Sequence, residues 1–454
     1  RGASPARAHR GRAHTEASGS KMGVGAPTTT VVIDNGGHTC KVGFAGQAEP
    51  VRSMPNGIAK SKTEHKVFVA DQLDACKDFS ALQYRLSLER GCLVNWDVQS
   101  QVWARAFGSE VLKISPADCR LLLSEIPLCP TAIQDTLDEM VFEHFGFHSY
   151  CTRPAPMLAA LALREQQAAS PPQPASLVLD AGFSACHCVP IFGGSMVNFG
   201  VRRLNIGGKI MTNHLKQVVS YRAYNVMDET HLINDIKERL CYVSLDFGAE
   251  LALTRFKGKK NTLRREFVLP DYVTHHRGRI RDPNAEPSAA APAAAAATPV
   301  PPPRDAAAPS KKKVAREGPA VTEQVLSLAN ERICVPELLF TPSDIGVEQA
   351  GLAECVVQAV DACPADLRES LYANIVLTGG STRFPNFSER LQRELRALVP
   401  SEFELGLTAA ADPLNAAWRG GSLYAAAESF PSQTVTRAEY QEHGHSLCRR
   451  RFLA

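Results

Sequence analysis

The chain has 454 residues, 44% of them hydrophobic and 21% charged, with a formal net charge of +3. That length allows two or more core-bearing lobes, and that charge is too small to argue for nucleic-acid binding by itself. Its 13 cysteines are an odd number without CxxC pairs, no apolar run is long enough to span a bilayer and no secretory signal is visible, so cytosol or nucleus is expected.

Arg1 to Lys21 are rich in Arg, Ala, Ser, Gly and His without apolar periodicity. The composition reads as a disordered tail, and a basic nucleic-acid-binding arm is the alternative. Met22 stands just before the first strand, which makes residues 1–21 a candidate gene-model extension. Thr30 to Phe44 then read as a hairpin: a β-branched apolar run, Asp34, the turn Asn35-Gly36-Gly37, then Lys41 and a second strand. Two turn glycines let backbone N–H groups approach an anion, and Asp34 at the strand end suits a hydrated divalent metal beside it. An ordinary Asn-Gly turn with a surface lysine is an equal reading of that stretch taken alone.

Asn56 to Phe68 is short and polar. Asn95 is placed to cap a helix with an apolar face of Val98, Val102, Ala106 and Phe107, and Trp96 and Trp103 are expected in the core. Cys119 to Ser124 reads as a strand, Thr131 as the cap of an amphipathic helix bearing Ile133, Leu137, Met140 and Val141, and Pro154 to Leu163 as the start of the next helix. Ala168 to Ser176 is a proline-containing loop.

Leu177 to Pro190 repeats the first hairpin. An apolar run leads to Asp180, then Gly182, and His187 stands at the offset of Lys41 from Asp34 (41 − 34 = 7; 187 − 180 = 7), each preceded by a cysteine. Two such hairpins imply two related half-domains with a phosphate clamped between them. Cys186 and Cys188 flank His187 without zinc-ligand spacing. Val226 to Phe247 reads as one long helix carrying Lys237 and Glu238. After Val268-Leu269-Pro270-Asp271, His275 to Ala320 is an Ala- and Pro-rich insertion that cannot bury enough apolar surface to order itself. Its Ser310 to Arg316 run is either a nuclear-import signal or a solubilising charge run. Ile375 to Thr378 is a buried strand leading into Gly379-Gly380, a turn that lets backbone approach a flat ligand.

These three segments resemble, in order, the two phosphate loops and the adenosine loop of the actin superfamily. Leu93 to Asp97, Asp235 to Val243, Asn330 to Arg332, Pro336 to Phe340, Ala417 to Ser422 and Thr436 to Tyr440 match as well, so the resemblance covers nearly all the chain from Thr28 onward. It implies an α/β, ribonuclease H-like duplicated fold with two lobes around a nucleotide cleft. The expected division is a tail over 1–27, a first lobe over 28–174, a second over 175–274, the insertion over 275–320, and 321–454 completing the second lobe and returning to the first.

The resemblance also implies ATP or ADP with magnesium. Asp34, Gly36, Gly37, Lys41, Asp180 and Gly182 would stand at the phosphates, Asp34 and Asp180 would hold the metal through water, and Lys237, Glu238, Gly379, Gly380 and Phe384 would border the adenosine. For Lys237 and Glu238, a solvated helix face is an equal reading. His187 matches the position that organises the hydrolytic water in the family. Its glutamine companion is missing, with Pro156 and Met157 nearest, and neither can orient a water. His38 stands where the family has a small residue, Phe183 and Ser184 replace an Asp-Gly pair, and the family's long filament-inserting loop looks abbreviated.

Gly207 to Lys216 and Val226 to His231 resemble a nuclear branch of the superfamily. That branch implies a non-filament-forming structural subunit of a Swr-type chromatin remodeller that exchanges a histone variant. It would bind nucleotide with little or no hydrolysis, and would meet a motor subunit, a zinc-finger HIT-domain subunit and the nucleosome, including a direct DNA contact. The location implied is the nucleus with some cytoplasm, with no membrane partner. The competing reading is an actin-like cytoplasmic ATPase that polymerises, which needs the glutamine and the long loop. A small-molecule kinase on the same fold needs a general-base Asp for which no clear candidate exists.

Overall fold

The computed structural model describes Gly2 and residues 29–452, apart from 63–65, 77, 81, 168–172, 273–274 and 282–322. The tail over 1–27 and most of the 275–320 insertion, its Lys-rich run included, lie outside the described residues.

Two mixed sheets organise the molecule. In the first, Thr29–Asn35 pairs antiparallel with Thr39–Phe44 and parallel with Cys119–Glu125, and Arg52–Pro55, Ser149–Pro154 and Val435–Thr436 extend it. In the second, Ala175–Ala181 pairs antiparallel with Cys186–Phe192 and parallel with Ile375–Thr378, which carries Leu407–Ala409. Each sheet is thus a hairpin whose first strand lies beside parallel strands. Val31, Val32 and Ile33, like Leu177, Val178 and Leu179, are almost fully buried, which is why these strands read as continuous apolar runs without alternation.

The sevenfold offset acquires a structural meaning. Asp34 is the cross-strand partner of Lys41, and Asp180 is that of His187. Both hairpins therefore present a carboxylate opposite a basic side chain at the open end of a sheet.

Two small-residue helices lie between the sheets. Ala160 and Leu163 of Ala155–Gln166 pack on Val178, Val189 and Val376 of the second sheet. Gly421 of Ala416–Ala426 sits against Val32 and Leu122 of the first. The helices approach so closely that a Cβ on Gly420 would fall 1.7 Å from the Leu158 carbonyl oxygen, so only glycine fits there. Trp418 on the same helix donates its indole N–H to the Val32 carbonyl at 3.1 Å.

Two three-stranded sheets flank the lobes. Gly57–Ser61 pairs with Val67–Val69 and Leu82–Leu86 over a small core of Ala59, Phe68, Leu73 and Leu82. The stretch read as short and polar is therefore mostly strand, and residues 62–66 alone join its first two strands. Arg265–Val268 is sandwiched between Arg279–Arg281 and Val325–Leu328. The start of the expected insertion is thus ordered: Arg281 pairs with Glu266 at 2.8 Å, and Arg279 with Glu323.

Local boundaries differ in three places. Thr131 is the first helical residue and Pro130 occupies the cap position, without a side-chain cap bond. The Ala155–Gln166 helix starts one residue later than read, with Pro156 in its first turn. The long helix over 226–247 is instead two, Thr230–Leu240 and Phe247–Leu253. Tyr242 and Val243 leave the helical ladder because their N–H groups donate to the carbonyls of Arg332 and Pro385 at 3.0 and 3.1 Å. Asn95 caps Trp96–Phe107 as expected, accepting from the Val98 N–H at 3.2 Å.

Candidate functional site

The two hairpins face one another, and the cleft chemistry starts at Asp34. Only 6% exposed, it accepts from Lys41 Nζ at 2.7 Å on one oxygen and from Ser124 Oγ at 2.6 Å on the other. Ser124 Oγ in turn accepts from the Asn35 N–H at 3.1 Å. Asn56, fully buried, donates to Asn35 Oδ1 at 2.9 Å and to the Gly36 carbonyl at 2.8 Å, and Gln99 Nε2 donates to Asn56 Oδ1 at 3.2 Å. This network fixes the turn and aims the Asp34–Lys41 pair. Sequence reading missed Asn56, Gln99 and Ser124; the position of Ser124 at the end of a strand was the one available signal.

Asp180 stands across from Asp34 and is partly accessible. No described side chain hydrogen-bonds its carboxylate. Burial and the neighbouring Asp34 charge push it up to about 6, against the pull of Lys41. A Cβ on Gly379, whose φ is +91°, would lie 2.6 Å from Asp180 Oδ1 and 2.5 Å from the Ala181 carbonyl oxygen. The third glycine-rich turn therefore abuts the second hairpin, and glycine is required for both the conformation and the contact. Gly380 lies beside Leu414.

This donor set suits a hard cation that keeps its waters. Two carboxylates, one short of hydrogen bonds among the described residues, face one another beside a lysine. Asp34 and Asp180 are the residues that would hold magnesium through its waters, and the ion would supply charge neutralisation to an anionic ligand in the cleft.

The remaining predicted residues divide. Gly36, Gly37 and Gly182 occupy the two turns, although the Gly182 N–H donates to the Ala185 carbonyl at 3.1 Å. Lys237 turns inward: 4% exposed, it donates to Thr212 Oγ1 and Asn234 Oδ1, each at 2.9 Å, and to the Gly208 carbonyl at 3.2 Å. Burial lowers its pKa. Glu238 is exposed and accepts from Asn234 Nδ2 at 2.8 Å. Phe384 is 8% exposed within the second-lobe core, so its ring is mostly packing.

His187 is 6% exposed, and its Nε2 has no hydrogen-bond partner among the described residues. Burial, then Arg203, drive its pKa down to about 4, so the ring is neutral at physiological pH. Where a water-orienting amide would be needed, Pro156 is buried and Met157 packs against the Val178 and Val376 cluster.

Comparison with known proteins agrees with this fold. The family model described as Actin matches residues 25–453. Actin-related protein 6 of Oryza sativa subsp. indica is 42% identical over 424 residues, covering 93% of this chain and 98% of that protein. The Arabidopsis thaliana protein of that name is 41% identical, with 93% and 99% covered. That of Drosophila melanogaster is 37% identical, with 91% and 97% covered.

Proposed function

The chain belongs to the actin family, and from that premise we propose that it is a non-filament-forming structural subunit of a nuclear chromatin-remodelling complex that exchanges a histone variant into nucleosomes. It binds ATP or ADP with magnesium between its hairpins and turns it over little or not at all. The observation that carries this reading is the pairing of a preserved carboxylate–lysine clamp with a hydrolytic side that cannot orient water. Asp34, Lys41 and Asp180 converge, whereas His187 is neutral and the side chains of Pro156 and Met157 offer no amide to orient a water.

Actin-fold rigidity suits a platform. The two small-residue helices pack between the sheets, and the C-terminal strand Val435–Thr436 returns to the first sheet. The brief 62–66 connection supports a chain that does not insert into a neighbouring copy. The partners proposed are the remodeller motor subunit, a zinc-finger HIT-domain subunit and the nucleosome, with direct contact to its DNA.

The test is purification of this protein from nuclear extract in moderate salt, with mass spectrometry of what stays bound, alongside steady-state hydrolysis and sedimentation. A Swr-type motor with a zinc-finger HIT protein, no pelleting and no turnover is the expected outcome. Pelleting filaments with hydrolysis abolished by Asp180→Ala would replace it with the polymerising ATPase.

A further inference from the structure

We propose that the His38–Phe183 pair closes the phosphate end of the cleft, so that the site takes a nucleoside diphosphate in preference to a triphosphate. This rests on the nucleotide reading above. Two facing hairpins leave a gap that the oxygens of a phosphate chain can bridge. Here protein atoms bridge it.

A Cβ on Gly37 would lie 2.4 Å from Ser184 Oγ, so the turn of one hairpin touches the turn of the other. One residue along, the His38 and Phe183 rings meet with centroids 4.7 Å apart and planes tilted by 34°. Phe183 rests against the start of the Gly208–Arg222 helix, where a Cβ on Gly208 would be 3.1 Å from its ring.

Several donors of the second hairpin and of the helix behind it are already engaged. The N–H of Gly182 donates to Ala185, that of Gly208 to Gly182 at 3.1 Å, and that of Lys209 to Phe183 at 2.9 Å. Lys41 is held on Asp34 and Lys237 within its own lobe. A terminal phosphoryl adds three oxygens that need partners, and leaving them unpaired in a desolvated cleft is unfavourable. A diphosphate asks for fewer. The outer rim is bridged as well: Phe79 stacks on His231 at 4.1 Å, and Lys62 pairs with Asp228 at 3.3 Å. Protein contacts thus bridge the two lobes at the rim as well as at the turns.

The experiment measures binding of ADP and of ATP, each with magnesium, to the intact protein by calorimetry. The variants are His38→Ala, which removes the ring at a solvent-accessible turn position, and His38→Ala combined with Phe183→Asp. Wild type should bind ADP at least about tenfold tighter than ATP, and the double variant should reduce that ratio at least about tenfold. ATP bound as tightly as ADP by wild type, or a ratio unchanged in both variants, would overturn the proposal. If wild type binds neither nucleotide, the nucleotide reading fails; a gain of ATP binding in the variants would then sustain the aromatic closure, and no gain would overturn it too.

Discussion

Replacing Asp180 by asparagine is expected to stabilise the ligand-free protein at neutral pH while destroying its response to magnesium nucleotide. A carboxyl whose pKa is raised by folding, here from an ordinary 3.8 to about 6, binds its proton more tightly in the folded state. Its penalty is absent below the unfolded value, grows as pH rises from about 4 to about 6, and is complete above that. The full difference corresponds to about 3 kcal/mol, and partial solvent access reduces it to about 1–2 kcal/mol. For a chain of this size that is a melting-temperature gain of about 1–2 °C. The assay is thermal unfolding of wild type and Asp180→Asn at pH 7.5, 6, 5 and 4, with and without magnesium and ADP. Without ligand, the variant's advantage should be full at pH 7.5 and vanish by pH 4. With ligand, the wild type should gain stability and the variant should not. A variant less stable than wild type at pH 7.5 without ligand, or an advantage independent of pH, would refute the claim that desolvation and the Asp34 charge set this carboxyl's behaviour.

His187 titrates with the opposite consequence. Its folded pKa of about 4 lies below the usual 6.5, so its contribution is complete above about 6.5 and is lost as pH falls toward 4. His187→Gln should flatten that limb, read as a smaller change in urea midpoint between pH 7 and pH 5. Lys237→Met leaves Thr212, Asn234 and the Gly208 carbonyl without their shared donor; a loss of about 2–3 kcal/mol is expected in chemical denaturation. Gly420→Ala forces a methyl into the Leu158 carbonyl and should destabilise by about 3 kcal/mol or more, seen as lowered soluble expression and melting temperature. Arg449→Ala strips Asp138, fully buried and already raised to about 6, of a guanidinium partner. His445 Nδ1 stays at 3.0 Å from that carboxylate, so about 2–3 kcal/mol should be lost at pH 7.5, and less at pH 5, where the carboxyl is protonated.

The sequence by itself determined the two hairpins, their sevenfold offset and the Gly-Gly turns. Those features are local: a β-branched run, an Asn-Gly turn and its cross-strand partner lie within a dozen residues, and turn chemistry sets their register. Their recurrence implied two related half-domains, and the resemblance of these loops to the actin superfamily supplied the fold. What only the tertiary structure decided depends on residues far apart in the chain. Ser124 reaches Asp34 from 90 positions away, and its place at the end of a strand does not say which residue it meets. Lys237 and Glu238 are neighbours on one helix, yet the start of another helix captures the first and leaves the second in solvent. The helical pattern past Leu240 stops because Tyr242 and Val243 find carbonyls on Arg332 and Pro385, a long-range competition that periodicity cannot register. Arg279–Arg281 becomes a strand inside a compositionally unpromising stretch because Arg265–Val268 offers it an open edge and Glu266 and Glu323 neutralise its arginines. Phe384 goes into the second-lobe core, where burying its ring among apolar residues that come from distant parts of the chain is favourable.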